Sequence, residues 1–118
     1  MRIKIALDKY IESIYIMHMM KEYPEMAGFN WDEGNRDKNL NHGVQNWECE
    51  QVFFNEPLII LNDPKHSIAE ERSAAFGRTE GGRRLVVIFT MRGSKVRVIS
   101  ARHMNKKERQ FYEDFGKE

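Results

Sequence analysis

Five apolar residues in a row, Leu85, Val86, Val87, Ile88 and Phe89, stand between two turn signals, and they constrain the fold more than any other stretch of the chain. Glu80-Gly81-Gly82 precedes them and Arg92-Gly93-Ser94 follows, so residues 84–91 read as a strand. Apolar at consecutive positions, this strand must be covered on both faces, as a central strand is. Residues 72–79 read as the strand before it, and residues 95–101 as the strand after it, entered through a tight hairpin. A further strand covers residues 58–61, an apolar run between Pro57 and Asn62-Asp63-Pro64. Short turns make the last three strands an antiparallel meander. In the final strand, alternation sets Lys95 and Arg97 on one face with Ile99, and Val96, Val98 and Ser100 on the other.

Helical signals flank the strands. Asp32 can cap a short helix through Leu40, ending at His42-Gly43. Trp47, Val52, Phe53 and Phe54 sit on a second, which stops at Asn55-Glu56-Pro57. Asn105 can cap a last helix from Lys106 to about Phe115. The expected fold class is α+β: a small antiparallel four-stranded sheet with two helices before it and one after, plus an extra N-terminal helix. That extra helix covers residues 8–22, where Tyr10, Ile11, Ile14, Tyr15 and His18 recur at helical spacing before Pro24 and Gly28. Its apolar stripe must cover something, either its own domain or a partner, and the nearby methionines leave a downstream translation start open as well. Asp8 and Glu12 interrupt the segment, which excludes a signal peptide.

At 118 residues there is room for one domain with a modest core. The single cysteine, Cys49, cannot form an internal disulfide and has no metal-ligand spacing around it, which fits a reducing cytoplasm. No apolar run approaches the length of a membrane span.

Charge is the strongest chemical signal. The whole chain carries +1, yet residues 72–109 hold eleven basic residues opposed only by Glu80 and Glu108, a surplus of about +9. Such a surface can bind phosphates, because the arginine fork matches their oxygens. A solvated face balanced by acidic neighbours, or one that docks an acidic protein, is the alternative.

Several local motifs resemble the BrnT family in order and spacing. They are Phe29-Asn30-Trp31-Asp32, Asn39, His42-Gly43-Val44, Glu71-Arg72, Gly77-Arg78, Leu85-Val86-Val87, Ile99-Ser100-Ala101-Arg102 and Glu108-Arg109 with Tyr112. The resemblance runs from about Gly28 to Glu113, dividing the chain into an N-terminal helical extension, residues 1–27, and a toxin domain, residues 28–118. It implies a RelE-like fold and a cytoplasmic toxin of a type II toxin–antitoxin pair, a ribonuclease that halts translation. It also implies a BrnA-like ribbon-helix-helix antitoxin that neutralises the toxin and carries the complex to operator DNA. The chain departs from the family at Asn41, Gln45-Asn46, Trp47 and His103-Met104.

Cleaving RNA without a metal requires a base for the 2′-hydroxyl proton, cations on the phosphate and a donor for the leaving oxygen. His42, His66 and His103 are candidate bases, as is Glu71. Against these stand a helix-end histidine bonded to carbonyls, an exposed loop histidine, and a strand-end salt bridge. Arg72, Arg97 and Arg102 are candidate phosphate clamps. Lys95, Arg78, Lys106, Lys107 and Tyr112 are candidate RNA contacts, though a tyrosine at helical spacing from Glu108 and Phe115 also reads as packing. No cofactor or metal is expected: no Cys/His/Asp set has metal spacing, no Gly-rich loop opens a helix, and no serine sits in a nucleophile elbow. Two function classes stay open, a ribonuclease toxin and a non-catalytic protein that binds RNA or antitoxin.

Overall fold

A computed structural model describes residues 26–62 and 70–117. The sheet has four strands, β1 (Ile59–Asn62), β2 (Ser73–Arg78), β3 (Arg84–Arg92) and β4 (Lys95–His103), in the order β1-β2-β3-β4. Every neighbouring pair is antiparallel. The strands therefore match the meander expected from the turns, with β4 running two residues further than its sequence pattern indicates.

Two α-helices accompany them, α1 (Asn46–Val52) and α2 (Lys106–Gly116), one against each face of the sheet. Central β3 splits its apolar run between the faces. Leu85, Val87 and Phe89 pack with Cys49 and Val52 of α1, while Val86 packs with Phe76 and with Tyr112 of α2. Helix α1 lies so close to β2 that a Cβ on Gly77 would sit 2.7 Å from Val52 Cγ1. Helix α2 starts at a reciprocal cap in which Asn105 Oδ1 accepts from Glu108 N and Glu108 Oε1 accepts from Asn105 N.

The expected helix from Asp32 to Leu40 does not form. Asp32 Oδ1 accepts from Gly34 N at 2.8 Å, a turn rather than a helix start, and Asp37 has φ 58, which breaks a right-handed helix. Only a 3-10 turn, Leu40–His42, follows. Tertiary bonds outweigh local propensity here, because the segment closes the open edge of β4. Phe29 bridges Val96, Asn35 Nδ2 donates to the carbonyl of Val98, and Asn39 Oδ1 accepts from Ala101 N. Covering those backbone groups removes an exposed sheet edge. The second helix also ends earlier than expected, at Val52. Phe53 then turns into the core against Phe29 and Phe89, and Phe54 is exposed. The expected helix over residues 8–22 and the His66 loop lie outside the described residues.

A second difference is small but decides the site. The β3–β4 register shifts between Ile88 and Phe89: Ile88 pairs with Ser100 and Phe89 with Val98, so Ile99 is an extra residue. Such a bulge reverses the alternation beyond it. Ser100 therefore leaves the face of Val96 and Val98, Ala101 joins it, and Arg102 faces α2 beside Val86.

Candidate active site

His42 ends the 3-10 turn, and Gly43 after it takes φ 73, the left-handed conformation that lets the chain reverse there. Two side chains of this turn grip Ala101 at its amide and at its carbonyl. Asn39 Oδ1 accepts from its N–H at 2.9 Å, and His42 Nδ1 lies 3.1 Å from its carbonyl oxygen. A carbonyl can only accept, so His42 Nδ1 is the donor, and in the neutral ring the lone pair lies on Nε2. The ring is exposed, and its free nitrogen is the one a general base uses. Asn39 is buried, with Nδ2 lacking a partner among the described residues.

The same corner holds Arg83, just after the β2–β3 turn. Its Nη1 donates to Glu48 Oε2 at 2.6 Å and its Nη2 to the carbonyl of Gly43 at 2.7 Å. Nη2 also meets His103 Nε2 at the end of β4. Arginine has no acceptor, so His103 takes this bond through its Nε2 lone pair and carries its proton on Nδ1. Glu48 is only 4% exposed; its second oxygen accepts from Gln45 N at 3.0 Å, closing the N-terminal cap of α1. One buried carboxylate thus fixes a guanidinium that bridges the His42-Gly43 turn to His103.

Arg102, on the opposite face from His103, forms a forked pair with Glu108, at 2.7 and 2.8 Å. The pair holds the Glu108 carboxyl below its ordinary range, chiefly through the Arg102 hydrogen bonds, and raises the Arg102 pKa. Half of the Arg102 side chain remains exposed, and Lys106 and Lys107 are exposed on the following helical turn.

The other candidates lie elsewhere. Arg97 stands six residues before His103 on β4, about 20 Å away at roughly 3.3 Å per residue. It is largely buried, bonded to Asn30 Oδ1 at 2.7 Å and to both oxygens of Asp32. Those bonds hold Asp32 below the usual carboxylate range. Lys95, Arg72 and Glu71 share that far end, where the carbonyl of Glu71 accepts from Thr90 Oγ1. Arg78 ends β2 beside Arg84 and donates to the carbonyl of Glu56. Tyr112 is core: it is 3% exposed, its hydroxyl donates to the carbonyl of Pro57, and burial pushes it up to about 12. It fills the α2 interface rather than offering a face to a base.

The basic surplus is also less bare than the sequence suggests. Among the described residues, five of its arginines are paired with carboxylates, and Glu48, Glu113, Glu70 and Asp32 come from outside the basic segment. Burial raises the Cys49 thiol to about 12, which leaves it un-ionised near neutral pH. Among the described residues, no three His, Cys, Asp or Glu side chains are grouped so as to hold a metal ion, and no helix is long and apolar enough to cross a membrane.

Sequence reasoning missed Arg83 and Glu48 as site residues. Arg83 was one basic residue among eleven, and no local pattern ties it to a glutamate 35 positions earlier. The one available signal was Gln45 followed at three residues by Glu48, a capping pair.

Residues 31–108 match the family described as the ribonuclease toxin BrnT of type II toxin–antitoxin systems. No curated protein matches the chain.

Proposed function

The chain belongs to the BrnT family of ribonuclease toxins, and from that premise we propose that it cleaves RNA without a metal ion at the corner where Arg83 joins the His42-Gly43 turn to His103. The observation that carries this reading is the bond between His42 Nδ1 and the Ala101 carbonyl: it commits Nδ1 as donor and leaves Nε2 of the exposed, neutral ring to accept a proton. In the proposed reaction, His42 Nε2 takes the proton of a ribose 2′-hydroxyl, and the 2′-oxygen forms a bond to phosphorus. The bond from phosphorus to the 5′-oxygen breaks, and that oxygen takes a proton from the His103 imidazolium. The products are a 2′,3′-cyclic phosphate and a 5′-hydroxyl, and water returns both imidazoles to their starting states. Arg102, Lys106 and Lys107 would hold flanking phosphates as exposed cations. Arg97, Arg72, Glu71 and Lys95 are assigned to binding or folding and not to the bond-breaking step, because of their distance from this corner, and Arg78 is assigned to folding because it donates to the Glu56 carbonyl.

A four-stranded antiparallel sheet with a helix on each face supports the RelE-like assignment. We assign the protein to the cytoplasm, where its RNA substrate is. The partner that suits a type II toxin of this family is a BrnA-like ribbon-helix-helix antitoxin, which would bind operator DNA on behalf of the complex.

The test is to express His42→Ala and His103→Ala and follow both growth and RNA. Each should relieve growth arrest and slow cleavage by roughly 100-fold or more, with circular dichroism unchanged. Native protein should cut RNA equally well in excess chelator and leave cyclic phosphate ends. Two fully toxic histidine variants would remove this site from consideration.

A further inference from the structure

We propose that Arg83 is the ligand of the scissile phosphate, and that in the free protein it is parked on His103, from which the substrate displaces it. This rests on the reading of the His42 and His103 corner as the catalytic site. Arg83 spans the boundary between core and surface, with its side chain 36% exposed and its partner Glu48 5% exposed. Its inner donor is anchored: Nη1 holds one oxygen of Glu48, and the other oxygen of Glu48 is held by Gln45 N, so the carboxylate cannot swing. Its outer donor, Nη2, meets the Gly43 carbonyl and His103 Nε2, two neutral acceptors.

A phosphate is a better partner for that outer edge than a neutral imidazole. Both bonds have a charged donor, but only the phosphate adds the attraction of an opposite charge and oxygens that match the guanidinium fork. A phosphodiester entering beside His42 would therefore take Nη2 from His103. The exchange has a chemical consequence. While Arg83 donates to it, His103 Nε2 cannot bear a proton; once released, it can be protonated and can then donate to the leaving 5′-oxygen. Substrate binding thus arms the acid, and the base on His42 is ready throughout. Glu48 acts as a positioning residue that touches no substrate but sets where the guanidinium points.

The full-length toxin can be tested with two substrates, a short RNA oligonucleotide and the same RNA with sulfur in place of the scissile 5′-oxygen, a leaving group that needs no proton. Arg83→Ala should lose about 100- to 1,000-fold in kcat on both, as removal of a charge-stabilising donor does, and added guanidinium ion should restore part of it. His103→Ala should lose activity on the oxygen substrate and recover most of it on the sulfur one. Glu48→Gln, which keeps the bond to Gln45 N, should lower kcat about tenfold with little change in KM, a displaced rather than a missing cation. In the native protein, nitrogen NMR should find His103 as the Nδ1–H form, and a non-cleavable 2′-O-methyl RNA should bring a proton onto Nε2.

Active Arg83→Ala beside inactive His42→Ala would overturn the role of Arg83 and leave the histidine reading standing. Active histidine variants would instead sink the reading beneath it. If Arg83→Ala does not fold, the NMR measurement on native protein decides: a His103 tautomer unaltered by RNA refutes the displacement.

Discussion

Arg97 and Arg102 are both strand arginines in forked pairs with a carboxylate, yet their surroundings assign them different work. Arg97 is mostly covered and ties Asn30 and Asp32 to β4, so its removal would loosen the segment that closes the sheet edge. Arg97→Ala should lower the melting temperature by a few degrees while purified protein still cleaves RNA. Arg102 is half exposed beside His103; Arg102→Ala should weaken RNA binding with a smaller stability loss, measured by salt titration of RNA binding and by thermal melts. Full activity of Arg102→Ala together with an inactive, folded Arg97→Ala would reverse the assignment. Glu108 also sets a pH dependence. Its folded pKa is depressed by Arg102, so its contribution to stability is present above its ordinary value of 4.5 and is lost as the pH falls through the lower folded value. Native protein should exceed Glu108→Gln in stability near neutral pH, and urea melts should show the gap closing below pH 4.5.

At the scale of elements, α1 lies close against β2 at Gly77. Gly77 has no room for a methyl group, with the Val52 carbonyl oxygen 3.0 Å and Val52 Cγ1 2.7 Å from where its Cβ would lie. Gly77→Ala should cost about 1–3 kcal/mol by overpacking, read as a lower urea midpoint; an unchanged midpoint would mean that α1 can lift off the sheet. The contact matters for function because Glu48 rides on α1, and a shifted helix would carry Arg83 with it. Legibility differed among the elements. The α2 helix and its Asn105 cap were readable, because a cap joins residues three apart. The segment after Asp32 was misread as helix, since its side chains bond to β4 more than 60 residues away.

For the whole molecule, the described fold begins at Met26, which packs on the first core, and Ala27 N donates to the Ser94 carbonyl. A chain starting at Met26 should keep both contacts, fold cooperatively and retain toxicity, with at most a modest loss in melting temperature; an insoluble product would move residues 1–25 into the domain. Charge at this scale bears on the partner. Although five arginines are paired with carboxylates among the described residues, Lys95, Lys106 and Lys107 are exposed. An acidic antitoxin segment laid over them would compete with RNA. Toxin alone should bind RNA with strong salt dependence and its antitoxin complex should not; equal affinity in both would rule out masking.

The four strands and the antiparallel meander of the last three were legible in the sequence, because period, turn residues and caps act between residues a few positions apart; the place of β1 beside β2 was not. The central place of β3 was legible too, since the apolar run over residues 85–89 has to be covered on both faces. Which side chains share a site was decided only in three dimensions. One extra residue, Ile99, exchanges the faces of Arg102 and His103. Counting charges showed a surplus but not the distant carboxylates that neutralise it. The pairing of Arg83 with buried Glu48 joins residues on different elements, and only the packing of α1 against the sheet brings those two charges within 2.6 Å.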